Sequence, residues 1–335
     1  MSFVADVLIA GASGYAGALA ARLVDRHPHF RLAAVTSRSD AGRPLDALYP
    51  HHRVAMVLEE LDLDRHGDVD AAIVAYPHGA AAPVVAALRA RATKVVDLSA
   101  DFRLRDRAVY EQWYAPHTAP ELIAGAAYGL TELHREAITG AGLVANPGCF
   151  PTAALLALAP LARAGLIADV VIDAKTGVSG AGRESTEVTH FVSVADNVKP
   201  YKVGAHRHTP EIEQELAALG SPVPATFVPH LVPVDQGELT SCYVTASEPV
   251  DGARLAELYA EAYDAEPFVE VVAQPPGMRD VRETNRCRIF AHAEARTGRV
   301  IVFAAIDNLW KGTSSQAIQN LNLMFGRPEV EGLDA

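Results

Sequence analysis

Val4-Ala5-Asp6-Val7-Leu8-Ile9-Ala10-Gly11-Ala12-Ser13-Gly14-Tyr15-Ala16-Gly17 is the stretch on which the fold turns. Val4 to Ala10 reads as a buried parallel strand. An amphipathic stretch, Ala18 to Arg26, follows the glycines. Strand, glycine turn and helix in that order open a dinucleotide-binding unit. Gly11 permits the tight turn, Gly14 lets a pyrophosphate approach the backbone, and Gly17 permits close helix–strand packing, with phosphate at the helix N-terminus. Ser13 and Tyr15 lie inside the same loop. The spacing is G-x-x-G-x-x-G rather than G-x-G-x-x-G, so position at the start of a strand–helix unit carries the reading. The alternative is a glycine turn with no ligand.

Working outward, a second strand, Leu32 to Thr36, ends in Ser37-Arg38-Ser39. A site for NAD places an acidic residue there to hold the ribose 2′-hydroxyl. Hydroxyls and a guanidinium suit a 2′-phosphate instead, and Ser37 and Arg38 therefore predict NADP. Ala71 to Ala75 ends in Tyr76-Pro77-His78-Gly79, Lys94 to Leu98 ends in Ser99-Ala100-Asp101-Phe102-Arg103, and Leu143 to Ala145 leads into Asn146-Pro147-Gly148-Cys149. Ligands of open parallel sheets bind outside the carboxyl ends of the strands. Pro77, Gly79, Arg103 and Cys149 each lie just past such an end. His78 reads as an ordinary loop histidine rather than a catalytic one.

Cys149 precedes Phe150-Pro151-Thr152 and an apolar helical run, Ala153 to Leu161. Pro151 fits a first helical turn, where a missing N–H costs nothing. A thiol at a helix N-terminus is biased toward thiolate by free backbone N–H groups and the dipole. The alternative is a small buried hydrophobe.

From Val170 the pattern changes. Val170 to Asp173, Phe227 to Val232, Leu239 to Ala246, Val269 to Val272, Arg286 to Ala293 and Val300 to Ile306 read as strands with few helices between them. They predict a mixed or antiparallel sheet with helices on one face. Thr176 to Gly182 is a second glycine-rich turn, holding Ser179 and Gly180, and glycine there permits close approach of backbone to a ligand. His206-Arg207-His208-Thr209-Pro210-Glu211-Ile212 is the tightest polar cluster. Thr209 and Pro210 suit a helix start, and histidine is the side chain best poised for proton transfer near neutral pH. H-x-H has no third ligand of suitable spacing, so no metal is expected. A final helix, Gln316 to Met324, is expected to pack on the first domain.

The chain is an α/β protein of two domains on this reading: residues 1–148 with 309–335 form a Rossmann-type, doubly wound dinucleotide-binding domain, and 149–308 form an α+β catalytic domain. Three cysteines without paired spacing argue against disulfides and structural zinc. Ser2 to Ala10 lacks the features of a signal peptide, and no apolar run spans a membrane. A net charge of −12 argues against nucleic acid. A cytoplasmic location follows as an expectation.

Five stretches carry a resemblance: Gly11 to Gly17, Asp97 to Leu104, Asn146 to Thr152, His206 to Ile212, and Asp307-Asn308 with the Gln316 to Asn322 helix. In order, over nearly the whole chain, they resemble the N-acetyl-γ-glutamyl-phosphate reductases of arginine biosynthesis, which are related to aspartate-semialdehyde dehydrogenase. The resemblance implies Cys149 as nucleophile and His206 or His208 as acid/base. It implies that the glycine loop and Asn308 contact the cofactor. Arg103 is the expected phosphate anchor, with Ser179, Arg207 and Glu211 on the substrate. Trp310 stands where a small apolar residue is expected. Relatives imply a homodimer or homotetramer. The rival readings are the same chemistry on an aminoadipyl phosphate held by a carrier protein, and a nucleotide-sensing regulator without catalysis.

Overall fold

The computed structural model describes residues 5–333. The chain divides into two compact units, one of residues 1–148 with 313–334 and one of 149–312. Val4, read as the start of the first strand, lies outside the described residues.

The first unit is built on a six-stranded sheet. Its strands are β1 (Ala5–Ala10), β2 (Phe30–Thr36), β3 (Ala71–Val74), β4 (Lys94–Asp97), β5 (Ala126–Tyr128) and β6 (Leu143–Ala145), in the order β2-β1-β3-β4-β6-β5. Every pairing is parallel. The order reverses beside β1, because the chain goes out to β2 and returns on the other side to β3. That is the topological switch point at which open α/β sheets bind ligands. β3 and β6 are fully buried, as strands covered on both faces must be. The Ser315–Met324 helix closes this unit with buried polar side chains. Asn320 Nδ2 donates to the Gly129 carbonyl at 2.8 Å and to Asn146 Oδ1 at 3.0 Å, and Gln316 Nε2 donates to Thr131 Oγ1 at 2.9 Å.

The second unit carries a seven-stranded sheet: β7 (Ile167–Thr176), β8 (Lys199–Pro200), β9 (Ala225–Leu231), β10 (Glu238–Ala246), β11 (Val269–Val271), β12 (Cys287–Glu294) and β13 (Arg299–Ile306). The order is β11-β12-β13-β10-β7-β9-β8. β7 pairs with β9 and β11 with β12 in parallel, and the remaining pairs are antiparallel. The sheet is mixed, as the strand pattern predicts.

The Cys149–Arg163 helix is the core of this unit, with every residue from Phe150 to Ala162 buried. Pro160 sits inside it. A proline there has no N–H for the carbonyl four residues back, which leaves the Leu156 oxygen without a helical donor. The Tyr263 hydroxyl donates to that oxygen, and Tyr259 donates to the Ala157 carbonyl. Both tyrosines belong to the Gly252–Tyr263 helix, so a local helix defect becomes a joint between two helices.

Candidate active site

In the first unit the glycine loop has the geometry of a phosphate cradle. Gly11 has φ +92°, and a Cβ there would meet the Ala75 carbonyl oxygen at 2.6 Å. Gly17 is packed harder: its Cβ would lie 2.2 Å from the Gly11 oxygen. At Gly14 the nearest atom to an added Cβ is 3.8 Å away, so the middle of the loop is open. Gly14 is the N-cap of the Tyr15–Asp25 helix, whose first turn carries no acidic residue. An open N-terminus with no anion of its own fits a dinucleotide pyrophosphate.

Beside the loop, Ser13 and Ser37 share a hydrogen bond of 2.7 Å at the end of β2. Arg38 is exposed, while Asp40 pairs with Arg43 at 2.8 Å and accepts from Ser39. The acidic residue that follows this strand end in sequence thus serves its own loop.

Asp97 to Arg103 braces the carboxyl ends of β3, β4 and β6. Burial pushes the Asp97 carboxyl up to about 7, against hydrogen bonds from the Ser99 N–H and hydroxyl that favour its anion. Asp101 accepts from Gly79 N, Ala82 N and the Tyr110 hydroxyl, which fixes the Pro77–Gly79 turn at the start of the Ala82–Ala90 helix. His78 accepts from Ala100 N through Nδ1 and is part of the same bracing. Arg103 is buried and donates from Nε to the Asn146 carbonyl at 2.7 Å and from Nη2 to the Leu98 carbonyl at 2.8 Å. Its first role is therefore to hold the loop that leads into Cys149, a task the sequence reading did not assign.

In the second unit Cys149 is the first residue of its helix, part-exposed, with no acidic residue in the first helical turn. The structure begins the helix at the thiol and sets Pro151 in its first turn, as the sequence predicts. Cys242 and Cys287 are fully buried.

His206 is buried in a cage of rings, with Phe150, Tyr201, His208 and Phe227 centroids at 4.8–5.5 Å. Burial, with Lys202 and Arg207 nearby, lowers its pKa to about 4. His206 Nδ1 accepts the His208 N–H at 3.2 Å, which assigns the proton of the neutral ring to Nε2. His206 at neutral pH is thus an uncharged donor. His208, half-buried, is the N-cap of the Thr209–Ala218 helix; Thr209 and Pro210 are its first helical residues rather than its cap. Arg207 is exposed, whereas Glu211 is buried in the first helical turn, where its charge complements the helix dipole.

Ser179 and Asn308 form a staple. Asn308 Nδ2 donates to Ser179 Oγ at 3.0 Å, its Oδ1 accepts from Gly237 N at 2.8 Å, and Ser179 Oγ donates to the Asp235 carbonyl. Gly180 lies beside the Asn308 amide. These residues join the loops after β7 and β13 to the turn before β10. Trp310 opens a five-residue π-turn and donates its N–H to Asp307.

Glu238 is the residue that sequence reading missed. It opens β10, where the register sets it opposite Thr176 of β7 and Ile306 of β13. It is 0 % exposed. Burial raises its pKa to about 8, with Asp307 adding repulsion, while contacts from the Cys149 thiol and the Thr240 hydroxyl oppose the shift. The signal was present in the alternation: Glu238 is in phase with the inward-facing Thr240, Cys242 and Val244.

Among the described residues no cluster of His, Cys, Asp or Glu could hold a metal, and no helix is long and apolar enough to cross a membrane.

Known proteins place this arrangement. The family described as semialdehyde dehydrogenase, NAD binding domain, matches residues 6–141, and its dimerisation domain matches residues 149–308. Aspartate semialdehyde dehydrogenase II of Vibrio cholerae, solved with ASA, shares the fold at TM-score 0.72 and 18% identity, over 97% of this chain and 98% of its own. The Candida albicans aspartate semialdehyde dehydrogenase solved with NADP matches at TM-score 0.69 and 15% identity, over 96% and 98%. Fold and domain content thus define an oxidoreductase of the semialdehyde dehydrogenase class. Two relatives named N-acetyl-gamma-glutamyl-phosphate reductase are nearer in sequence. One from Desulforudis audaxviator is 51% identical over 97% of this chain and 96% of its own length, and one from Moorella thermoacetica is 48% identical over 97% of each. The chain belongs to the N-acetyl-gamma-glutamyl-phosphate reductase family.

Proposed function

We propose that the protein reduces N-acetyl-γ-glutamyl phosphate to N-acetylglutamate 5-semialdehyde and phosphate, with NADPH as reductant and a thioester on Cys149. The observation that carries this reading is a part-exposed thiol on the first residue of a buried helix. Free backbone N–H groups there favour the thiolate and offer donors to a developing oxyanion.

In this reading residues 1–148 with 309–335 hold the dinucleotide and residues 149–308 hold the covalent intermediate. Gly11, Ser13, Gly14, Tyr15 and Gly17 take the pyrophosphate. Ser37 and Arg38 take the 2′-phosphate, and Pro77, Gly79, Gly180 and Asn308 are further cofactor contacts. When bound, the cofactor supplies a hydride to the thioester carbonyl.

The chain's own residues do the rest. Cys149 Sγ bonds to the acyl carbon and the carbon–oxygen bond to phosphate breaks, splitting one hard step into two. The Nε2–H of His206 donates to the substrate oxygen as a neutral group, and His208, at a helix N-cap, is the second acid/base candidate. Arg103, already fixed by the Leu98 and Asn146 carbonyls, supplies positive charge for the acyl phosphate. Ser179, Arg207 and Glu211 shape the substrate site. The protein acts as a homodimer or homotetramer through residues 149–308, the part that matches a dimerisation domain.

The test is the reverse reaction: phosphate-dependent oxidation of N-acetylglutamate semialdehyde, compared with aspartate and aminoadipate semialdehydes. The highest kcat/KM is expected for the N-acetylated substrate. A higher value for the aminoadipate compound would move the chain to the carrier-bound reading, and no turnover of any would favour a regulator. Arg38→Ala is expected to weaken NADPH about 10-fold or more, the worth of one charge-assisted phosphate contact, with NADH little changed. Equal losses, measured by fluorescence titration, would remove the 2′-phosphate argument.

A further inference from the structure

Glu238 is a buried carboxyl with no part in the mechanism above. Among the described residues neither of its oxygens has a hydrogen-bond partner of ordinary geometry. Leaving such a group dry and unsatisfied is costly. The turn before it is held by the Gly237–Asn308 bond, and its strand is paired on both sides, so the carboxyl is held in place.

The groups facing it are few. The Cys149 thiol comes from the helix, the Thr240 hydroxyl from its own strand, and Asp307 from the end of β13. Tyr201 feels both Cys149 and Glu238, and its hydroxyl is held protonated by burial. Asp307 is itself committed to the N–H groups of Glu283, Leu309 and Trp310. Of the thiol and the two hydroxyls around the carboxyl, the thiol carries the most acidic proton.

We infer that the Glu238 carboxylate takes the proton of Cys149 as the thiol attacks, and returns it to sulfur when the aldehyde leaves. The inference rests on the acyl-phosphate reading. In acylation the S–H proton passes to the carboxylate, the S–C bond forms, and phosphate departs and takes its proton from water. After reduction the carbon–oxygen double bond re-forms, the C–S electron pair returns to sulfur, and the Glu238 proton follows it. Proton exchange of this kind is efficient when donor and acceptor affinities match. The helix N-terminus holds the thiol below its free value of about 8.5, while burial brings the Glu238 carboxyl up to about 8, so the two proton affinities approach each other. His206, lowered to about 4, is a far weaker base for the same proton.

The test reads the thiol directly and needs no substrate. Cys242 and Cys287 are fully buried, so iodoacetamide reports Cys149, with Cys149→Ser as the unlabelled control. The native protein is expected to show alkylation rising with pH in two steps, because two coupled groups share protons. Glu238→Gln should collapse this to one step, and Glu238→Asp, which keeps a carboxylate, should restore two. With substrate, Glu238→Gln should slow phosphate release about 10²-fold or more. A single step in the native protein, or two steps surviving in Glu238→Gln, overturns the inference. A two-step, Glu238-dependent profile without reduction of any acyl phosphate would overturn the functional reading and leave the pair standing.

Discussion

Cys149→Ser is expected to keep the fold and bind NADPH normally while losing reductive turnover by at least about 10⁴-fold, the scale seen when a covalent nucleophile is removed. The exchange replaces sulfur by oxygen on a part-exposed first helical residue, so packing changes little. The chemistry changes greatly. A hydroxyl stays protonated under conditions where a helix N-terminus makes a thiol ionise. Neither neighbour repairs the loss: Glu238 at about 8 and His206 at about 4 are both too weak to deprotonate an alcohol. The measurement is stopped-flow phosphate release together with NADPH titration. Activity within 10-fold of the native protein would remove the thioester from the mechanism. Loss of NADPH binding would show that the substitution had disturbed more than the nucleophile.

The second large effect belongs to Gly17→Ala. An alanine Cβ would lie 2.2 Å from the Gly11 oxygen and 2.9 Å from the Ala12 Cα, both backbone atoms with no rotamer to yield. Gly11 has no freedom to retreat, since it is already against the Ala75 carbonyl. The Tyr15–Asp25 helix must then move off β1, at an expected cost of about 3 kcal/mol, the top of the usual range for overpacking. Urea midpoints would show it, with NADPH affinity falling in parallel because the helix N-terminus leaves its place. A native midpoint with unchanged affinity would mean that the loop is softer than its contacts indicate.

The nucleotide unit was the legible part of the chain, because its signals are local. The apolar run Ala5–Ala10, three glycines and a helix follow one another within about twenty residues. β5 was missed because three residues, Ala126–Tyr128, carry no period. The cysteine loop was legible as a helix start through Pro151. Glu238 was missed for a specific reason: the strand was read from Leu239, which leaves the glutamate outside it as a turn residue. One residue more and the alternation turns it inward. Arg103 was read as a phosphate ligand because a guanidinium after a strand has that geometry available. Its bonds to the Leu98 and Asn146 carbonyls depend on where β6 lies, about forty residues on, which local sequence does not encode. The Ser179–Asn308–Gly237 staple, spread over the same long separations, was out of reach for the same reason.

The division of the chain sets an order of maturation. Residues 149–312 are one uninterrupted stretch, whereas the unit around the parallel sheet needs both 1–148 and 313–334. On the ribosome the second-encoded unit has all its parts first. The amino-terminal unit must wait for Gln316 and Asn320, because Thr131, Gly129 and Asn146 have their buried polar partners there. Nascent chains generally complete their earlier-encoded domain first; here the unit around residues 5–148 is completed after the unit of residues 149–312. Residues 313–333 are accordingly indispensable to the first unit: a stop near position 313 would release a chain with a finished second unit and an open, unsatisfied first one, a natural target for proteolysis.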